Sequence, residues 1–232
     1  VSVVSMKILY FHQHFSSPDG STGIRSYGMS RRLIKRGHQV TVICGSYLGS
    51  NTGLTGLYSN GQRRGFVDGI EVVELGLAYS NADSFTKRSF TFLKYVVRGL
   101  KLVFTEKYDL IFATTTPLTA GIPGVVARWF RNKPFVFEVR DLWPELPKAM
   151  GVITNPFLLS LMSVLEWVSY HSAHHIVTLS PGIARGVEER GIAPIKISMI
   201  PNCCDLDIFG GDVELWRPDQ ISESDLLVLF AG

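Results

Sequence analysis

Short β-branched and aromatic runs alternate with longer amphipathic stretches along most of the chain. The runs at 6–11, 39–44, 70–75, 109–113, 135–139, 175–179 and 196–200 are almost continuously apolar, as strands covered on both faces should be. Between them, apolar residues recur with helical spacing, which predicts helices at 24–36, 87–104, 117 to about 130, 157–171 and 181–190. Gly37 closes the first of these, and Pro117 and Pro181 read as first-turn residues of theirs. Strand–helix alternation of this kind predicts the α/β class: a Rossmann-like, doubly wound, mostly parallel sheet with helices on both faces. No fixed-period repeat is present.

Two segments break the rhythm. Residues 45–69 are rich in Gly, Ser and Asn and carry Arg63-Arg64; a mobile, functional loop is expected there. Residues 210–225 are polar, with Gly210-Gly211 and Pro218, and read as a linker. A fresh buried-strand signal comes after it at 226–230. The expected organisation is therefore a lobe over 6–209, a linker over 210–225, and over 226–232 the first strand of a second lobe.

Composition narrows the classes. With 46% hydrophobic and 19% charged residues in 232, the chain can bury a core, which excludes disorder and collagen-like or disulfide-stapled scaffolds. Lys+Arg 23 against Asp+Glu 20 leaves +3, which calls for no nucleic-acid partner. Cys44, Cys203 and Cys204 make a poor disulfide framework and fit a reducing, cytoplasmic compartment. Neither zinc-ligand spacing nor a metal-binding carboxylate cluster is visible. The opening VSVVSMKILYF lacks a basic n-region and a cleavage site, so it does not read as a signal peptide. The longest uncharged stretch, 149–165, is interrupted by Asn155-Pro156 and falls short of the ~20 apolar residues of a spanning helix.

In open α/β sheets ligands bind beyond the carboxyl ends of the strands, near the topological switch point. The strands here run, in chain order, into His12, His14 and the loop Ser17–Gly23; into Thr114, Thr115 and Thr116; into Glu138, Arg140 and Asp141; into Ser180; and into Pro201 and Asn202. Their convergence predicts a polar cleft for a polyhydroxylated or phosphorylated ligand. Gly20, Ser21, Thr22 and Gly23 would let backbone approach it, with Ser21 or Thr22 capping a helix whose N-terminus faces an anion. Alternatively, these glycines merely shape a turn. The loop is neither G-x-G-x-x-G nor a P-loop, and the second strand ends without an acidic residue, so nicotinamide dinucleotides are disfavoured.

Arg140 suits a phosphate or transition-state clamp, and Asp141 a group that accepts a sugar hydroxyl or orients the acceptor; the competing reading is a structural ion pair that pins the loop. His12 and His14 share a face of an extended segment and suit capping or hydrogen bonding in the cleft. Lys94, Arg98 and Lys101 lie on one helical face, opposite Leu93, Val97, Leu100 and Phe104. Arg25, Arg32 and Arg36 form a similar stripe beside Lys35. Such stripes are usually solvated faces; the alternative is contact with an anionic membrane surface, to which Arg63-Arg64 add modest weight.

The segment ILYFHQHFSSPDGSTGIRSYGMSRRLIKRGHQVTVI, with FEVRDLWPE, VTLSPGIARGVEERGI and IPNCCDLDIF after it, resembles the N-terminal lobe of family-4 glycosyltransferases of the GT-B fold. It is most similar to the bacterial surface-polysaccharide branch related to L-fucosamine transferases. The resemblance implies retaining transfer from a nucleotide diphosphate sugar to a glycan or polyprenyl-diphosphate-linked acceptor at the cytoplasmic membrane face, without metal or cofactor. It implies that this lobe holds the acceptor, that LLVLFAG opens the donor lobe, and that this chain alone is inactive. On this reading Arg140 and Asp141 are the catalytic candidates. His14, Gly20, Ser21, Thr22, Gly23, Thr115, Thr116, Glu138, Ser180 and Asn202 are the substrate-binding ones. Two departures stand out: Arg140-Asp141 occupies the place of the common His-Asp pair, and Pro201-Asn202-Cys203-Cys204-Asp205 that of Pro-Asn-Gly-Val-Asp. A non-catalytic Rossmann-like binding module is the alternative. A nucleotide-sugar epimerase or oxidoreductase is less favoured.

Overall fold

In a computed structural model the seven apolar runs and one further strand, β3, form one eight-stranded sheet: β1 (Lys7–Phe11), β2 (Gln39–Tyr47), β3 (Gln62–Val67), β4 (Ile70–Tyr79), β5 (Leu110–Thr114), β6 (Phe135–Val139), β7 (His175–Thr178) and β8 (Ile197–Met199). Their order is β3-β4-β2-β1-β5-β6-β7-β8. Every pair is parallel except β3–β4. The structure describes residues 4–80 and 82–203, and singly 218, 221, 222, 225, 226 and 228. The chain divides into two compact units, Val1–Pro201 and Asn202–Gly232, and the sheet lies wholly in the first. The linker and orphan strand expected over 210–230 fall largely outside the described residues.

Helices α1 (Arg25–Lys35), α2 (Phe85–Thr105), α3 (Ile122–Phe130), α4 (Glu145–Ala149), α5 (Pro156–Ser172) and α6 (Pro181–Glu189) fill the crossovers. Leu9, Phe11, Ile43, Phe135 and Phe137 on one face of the sheet bury against α2, α3, α5 and α6. Tyr10, Val42, Val72 and Phe112 face the other way, with Tyr27, Leu33 and Ile34 of α1 packed on them. Gly37 at φ +89° ends α1 in the left-handed conformation that only glycine adopts cheaply. Pro181 sits in the first turn of α6 as expected. Pro117, by contrast, precedes a 3-10 turn (Leu118–Gly121), and α3 begins only at Ile122.

Three expectations are corrected. First, residues 45–69 are not one open loop: β2 runs on to Tyr47, and β3 forms a hairpin with β4 through Asp68-Gly69, both at positive φ. The segment is also tethered. The buried Glu74 carboxylate accepts hydrogen bonds from Thr52, Tyr58 and Arg63, the last at 2.9 Å. Second, the basic residues differ in fate. Arg63 and Arg64 are ion-paired with Glu74, Glu71 and Glu106, and Arg25 turns inward to Glu138. Third, α2 faces the core with Tyr95, Val96, Leu102 and Val103, so Leu93, Val97 and Phe104 point outward beside Lys94 and Lys101.

Candidate functional site at the carboxyl edge of the sheet

The switch point lies between β1 and β5. The chain leaves β1 towards β2 and β4, then crosses to β5 and continues through β6 to β8. A gap opens between crossovers that diverge, so side chains just beyond β1, β5 and β6 share one rim.

On the β5–β6 side the rim is closely bonded. The Thr115 N–H donates to the Glu138 carbonyl at 2.9 Å, and the Arg140 N–H to Thr115 Oγ1 at 2.8 Å. Thr114 Oγ1 donates to Glu138 Oε2 at 2.8 Å, and Arg25 Nε to Oε1 at 2.9 Å. Arg25 also reaches the carbonyls of Ile200 and Pro201, at 2.7 and 2.9 Å. Glu138 is thus an enclosed strut that ties α1 to β6, with 1% of its side chain exposed. The expected cleft-facing role for Glu138 is not what its surroundings give it. Thr115 is fully buried and holds the Arg140 backbone.

Arg140 and Asp141 do not pair with each other. The guanidinium approaches His12 Nε2 at 3.4 Å, and among the described residues no carboxylate bridges to it. Because a guanidinium only donates, Nε2 must accept. His12 then carries its proton on Nδ1 and donates it to Ser26 Oγ at 2.6 Å. Burial, reinforced by His14 and Arg140, drives the His12 pKa well below the usual imidazole value, which fits this neutral tautomer. Asp141 Oδ2 receives a long bond, 3.4 Å, from Thr116 Oγ1. Thr116 itself sits at φ +87°, where a β-branched residue is strained by about 1–3 kcal/mol. The loop beyond is braced: Arg190 holds both Glu145 of α4 and the buried Glu166 of α5, the latter at 3.0 Å.

The segment leaving β1 is built differently. His14 lies among Tyr47 and Tyr79, with ring centroids 5.2 and 5.5 Å away. Burial and the nearby Arg140 lower its pKa to about 4. Among the described residues, both amide atoms of the buried Gln13, His14 Nε2, Ser17 Oγ and Thr22 Oγ1 have no hydrogen-bond partner. Buried polar atoms are rarely left so, and a cluster of them marks a place where a ligand or water completes the bonding.

The remaining expected residues divide between backbone shaping and capping. Gly20 is required by close approach: a Cβ there would meet Ser16 Oγ at 2.0 Å and the Asn51 nitrogen at 2.7 Å. Ser21 is bonded to the Gly49 carbonyl through both its N–H and its hydroxyl, at 2.9 Å each. Neither Ser21 nor Thr22 caps α1; Ile24 occupies the cap position without a side-chain bond. Gly23 backs onto Arg140, with a Cβ position 3.9 Å from Nη2. Ser180 is the N-cap of α6, accepting from the Ile183 N–H at 3.2 Å. Asn202 belongs to the second unit. Sequence reasoning missed Gln13, Ser26 and the inward Arg25. Gln13 lies between the two histidines it did weigh; nothing in an isolated arginine on α1 distinguishes an inward one.

The sequence profile of the glycosyl transferase 4-like domain matches residues 20–203, more than half of the chain. Among solved structures, sucrose-phosphate synthase from Thermosynechococcus elongatus is similar with a TM-score of 0.58 at 14% identity, over 87% of this chain and 49% of that one. The glycotransferase of kitacinnamycin is similar with a TM-score of 0.50 at 16% identity, over 93% and 55% of the two chains. A putative UDP-N-acetylglucosamine 2-epimerase from Listeria monocytogenes also reaches 0.50, at 9% identity over 84% and 45%. Identities this low speak for the fold alone. This chain spans about half the length of those structures. No curated protein matches the sequence.

Proposed function

The chain belongs to the glycosyl transferase 4-like family, and on that footing we propose that it is the acceptor-binding lobe of a retaining glycosyltransferase. The donor is a nucleotide diphosphate sugar. The acceptor is a glycan or polyprenyl-diphosphate-linked sugar of surface polysaccharide synthesis, as in the L-fucosamine-transferase-like branch, met at the cytoplasmic membrane face. The observation that carries this reading is the switch-point rim, where Arg140 has no carboxylate partner among the described residues and five buried polar atoms of the adjoining 13–22 segment lack hydrogen bonds.

The chemistry assigns the roles. Transfer from a nucleotide diphosphate needs charge stabilisation on the leaving diphosphate and alignment of the acceptor hydroxyl. Arg140 supplies a permanent cation, half-buried at the rim, its backbone held by Thr115 and its side chain beside His12. Asp141, beside Thr116, accepts and orients the hydroxyl. His12 is neutral and committed to Ser26, so it does not serve as the acid or base. His14 and Thr22 offer neutral hydrogen-bonding groups to sugar hydroxyls, a fit for a polyol rather than for a second anion.

The test is sugar transfer by the full-length protein, assayed with a panel of nucleotide sugars and polyprenyl-diphosphate-linked acceptors. Transfer is expected, with Arg140→Met lowering kcat by about 10²–10³, the usual loss for one electrostatic stabiliser. This chain on its own is expected to transfer nothing. Acceptor binding without transfer by the full-length protein would favour a non-catalytic module, and saturable NAD(P) binding would favour an oxidoreductase.

A further inference from the structure

No described helix is long and apolar enough to cross a membrane, yet α2 presents an outward surface that water alone does not explain. Phe90 is 66%, Leu93 57%, Val97 60% and Phe104 51% exposed. At about 100° per residue these four, with Lys94 and Lys101, fall within roughly 100° of the helix circumference. The whole helix carries Lys87, Arg88, Lys94, Arg98 and Lys101 and no acidic residue. Arg98 is tied to the Gly61 carbonyl and Lys87 to Asp83, whereas the Lys94 and Lys101 ammonium groups make no hydrogen bond or ion pair within the described residues. A groove of about 570 Å³ adjoins the face, between the end of β4 and the first turns of α2, with Lys87, Lys94 and Phe90 in its lining.

We propose that this face of α2 seats the protein on an anionic lipid surface. The helix lies flat, with Phe90, Leu93, Val97 and Phe104 entering the headgroup–acyl boundary and Lys94 and Lys101 meeting lipid phosphates. Apolar anchors interleaved with unpaired lysines are the composition of a helix that lies in the membrane interface. Charge separates this occupant from the others. A second copy of the chain, docked by two-fold symmetry, would set the same acid-free helix against itself. The exposed apolar stripe of α5, Phe157, Leu161, Val164 and Trp167, carries no cation and gives no such direction. The groove lies beside the carboxyl end of β4, whose Tyr79 packs on His14. Seating α2 would therefore place the candidate site near the lipid surface. Lipid binding by α2 depends on the helix itself and holds whether or not the chain transfers sugar.

Co-sedimentation of the chain with vesicles free of any glycan acceptor tests it. Binding is expected to vesicles of equal parts phosphatidylcholine and phosphatidylglycerol, to be absent with phosphatidylcholine alone, and to fall with added salt. Lys94→Ala and Lys101→Ala should each weaken binding about fivefold, the equivalent of about 1 kcal/mol per basic residue at an anionic surface. The pair Leu93→Ser with Val97→Ser should abolish it, with the thermal midpoint unchanged because both positions are exposed. A Phe90→Trp variant should shift its fluorescence to the blue on adding the mixed vesicles. Equal binding to both vesicle types, no binding to either, or lysine variants that bind like the parent would overturn the proposal. So would a self-associated state lost in the Leu93/Val97 variant, which would assign the face to a second copy.

Discussion

The two sides of the candidate cleft differ in how far the polar groups nearest the sheet are satisfied, although Thr119 and Trp143, beyond β5 and β6, also hold one unpartnered atom each among the described residues. On the β5–β6 side Thr114, Thr115, Glu138 and Arg25 are closed on one another, and the Glu138 carboxylate has both oxygens bonded. On the other side, between β1 and α1, Gln13, His14, Ser17 and Thr22 hold buried polar atoms with no partner among the described residues. A bonded network fixes geometry, whereas an unbonded one is incomplete. The first side therefore reads as scaffold, which sets where Arg140 stands. The second reads as the recognition surface, and its stability is held below what apolar packing would give.

The largest effect should come from breaking the scaffold. Glu138→Ala leaves the Arg25 guanidinium, with only 10% of its side chain exposed, facing a void where the Glu138 carboxylate stood. Removing one partner of a buried pair costs about 3–5 kcal/mol, so the urea midpoint should fall steeply. A loss under about 1 kcal/mol, the range of surface ion pairs, would show that the strut is not what holds the rim.

The recognition side should be sensitive to acid instead. An unfolded His14 titrates near ~6.5, while the folded one is held neutral until about pH 4 by burial and by Arg140. The stability that rests on neutral His14 is complete above ~6.5 and is lost as the pH falls from there towards 4, where the unfolded chain takes up a proton that the folded one refuses. The loss reaches on the order of 3 kcal/mol. His14→Phe keeps a ring on Tyr47 and Tyr79 and should flatten that acid limb by a similar amount, read from urea midpoints at pH 7 and pH 4.5. His12 and His174, shifted in the same direction, contribute further slope of the same sign. An unchanged slope in His14→Phe would mean that the imidazole is solvated.

Much of this frame was legible beforehand because parallel strands buried on both faces write themselves as unbroken apolar runs; Phe135–Val139 was readable to the residue. The hairpin of β3 was not, although its signal was present: Asp68-Gly69 sits between Phe66-Val67 and Ile70, and both turn residues take the positive φ that a two-residue hairpin requires. The Gly-rich character of the segment masked it. The outward face of α2 was misread for another reason. The helix is apolar around most of its circumference, so periodicity alone could not tell Tyr95 and Val103, which are buried, from Leu93 and Val97, which are not. At the site, residue types after each strand pointed to the rim, and Arg140, Asp141 and Thr116 do lie there. Whether a polar group faces ligand or neighbour depends on pairings between residues such as Arg25 and Glu138, over a hundred positions apart, which no local pattern encodes.

One substitution made on both sides gives the finest comparison. Thr→Val removes a hydroxyl and keeps the shape. At Thr114 it deletes the 2.8 Å bond to Glu138 Oε2 and strands a buried carboxylate oxygen. Hydrogen bonds to charged groups are worth about 1.5–3 kcal/mol, so Thr114→Val should lower stability by that amount. At Thr22 the hydroxyl is buried and has no partner among the described residues, so its removal deletes no bond seen there. Thr22→Val should therefore leave stability unchanged or raise it by about 0.5–1 kcal/mol. Its cost should appear only in acceptor affinity, weakened about fivefold by the loss of one hydrogen bond. Paired denaturation curves decide the matter. Opposite signs would support a division between scaffold and recognition surface, and equal losses would mean that Thr22 has a partner in solution and that the two sides are built alike.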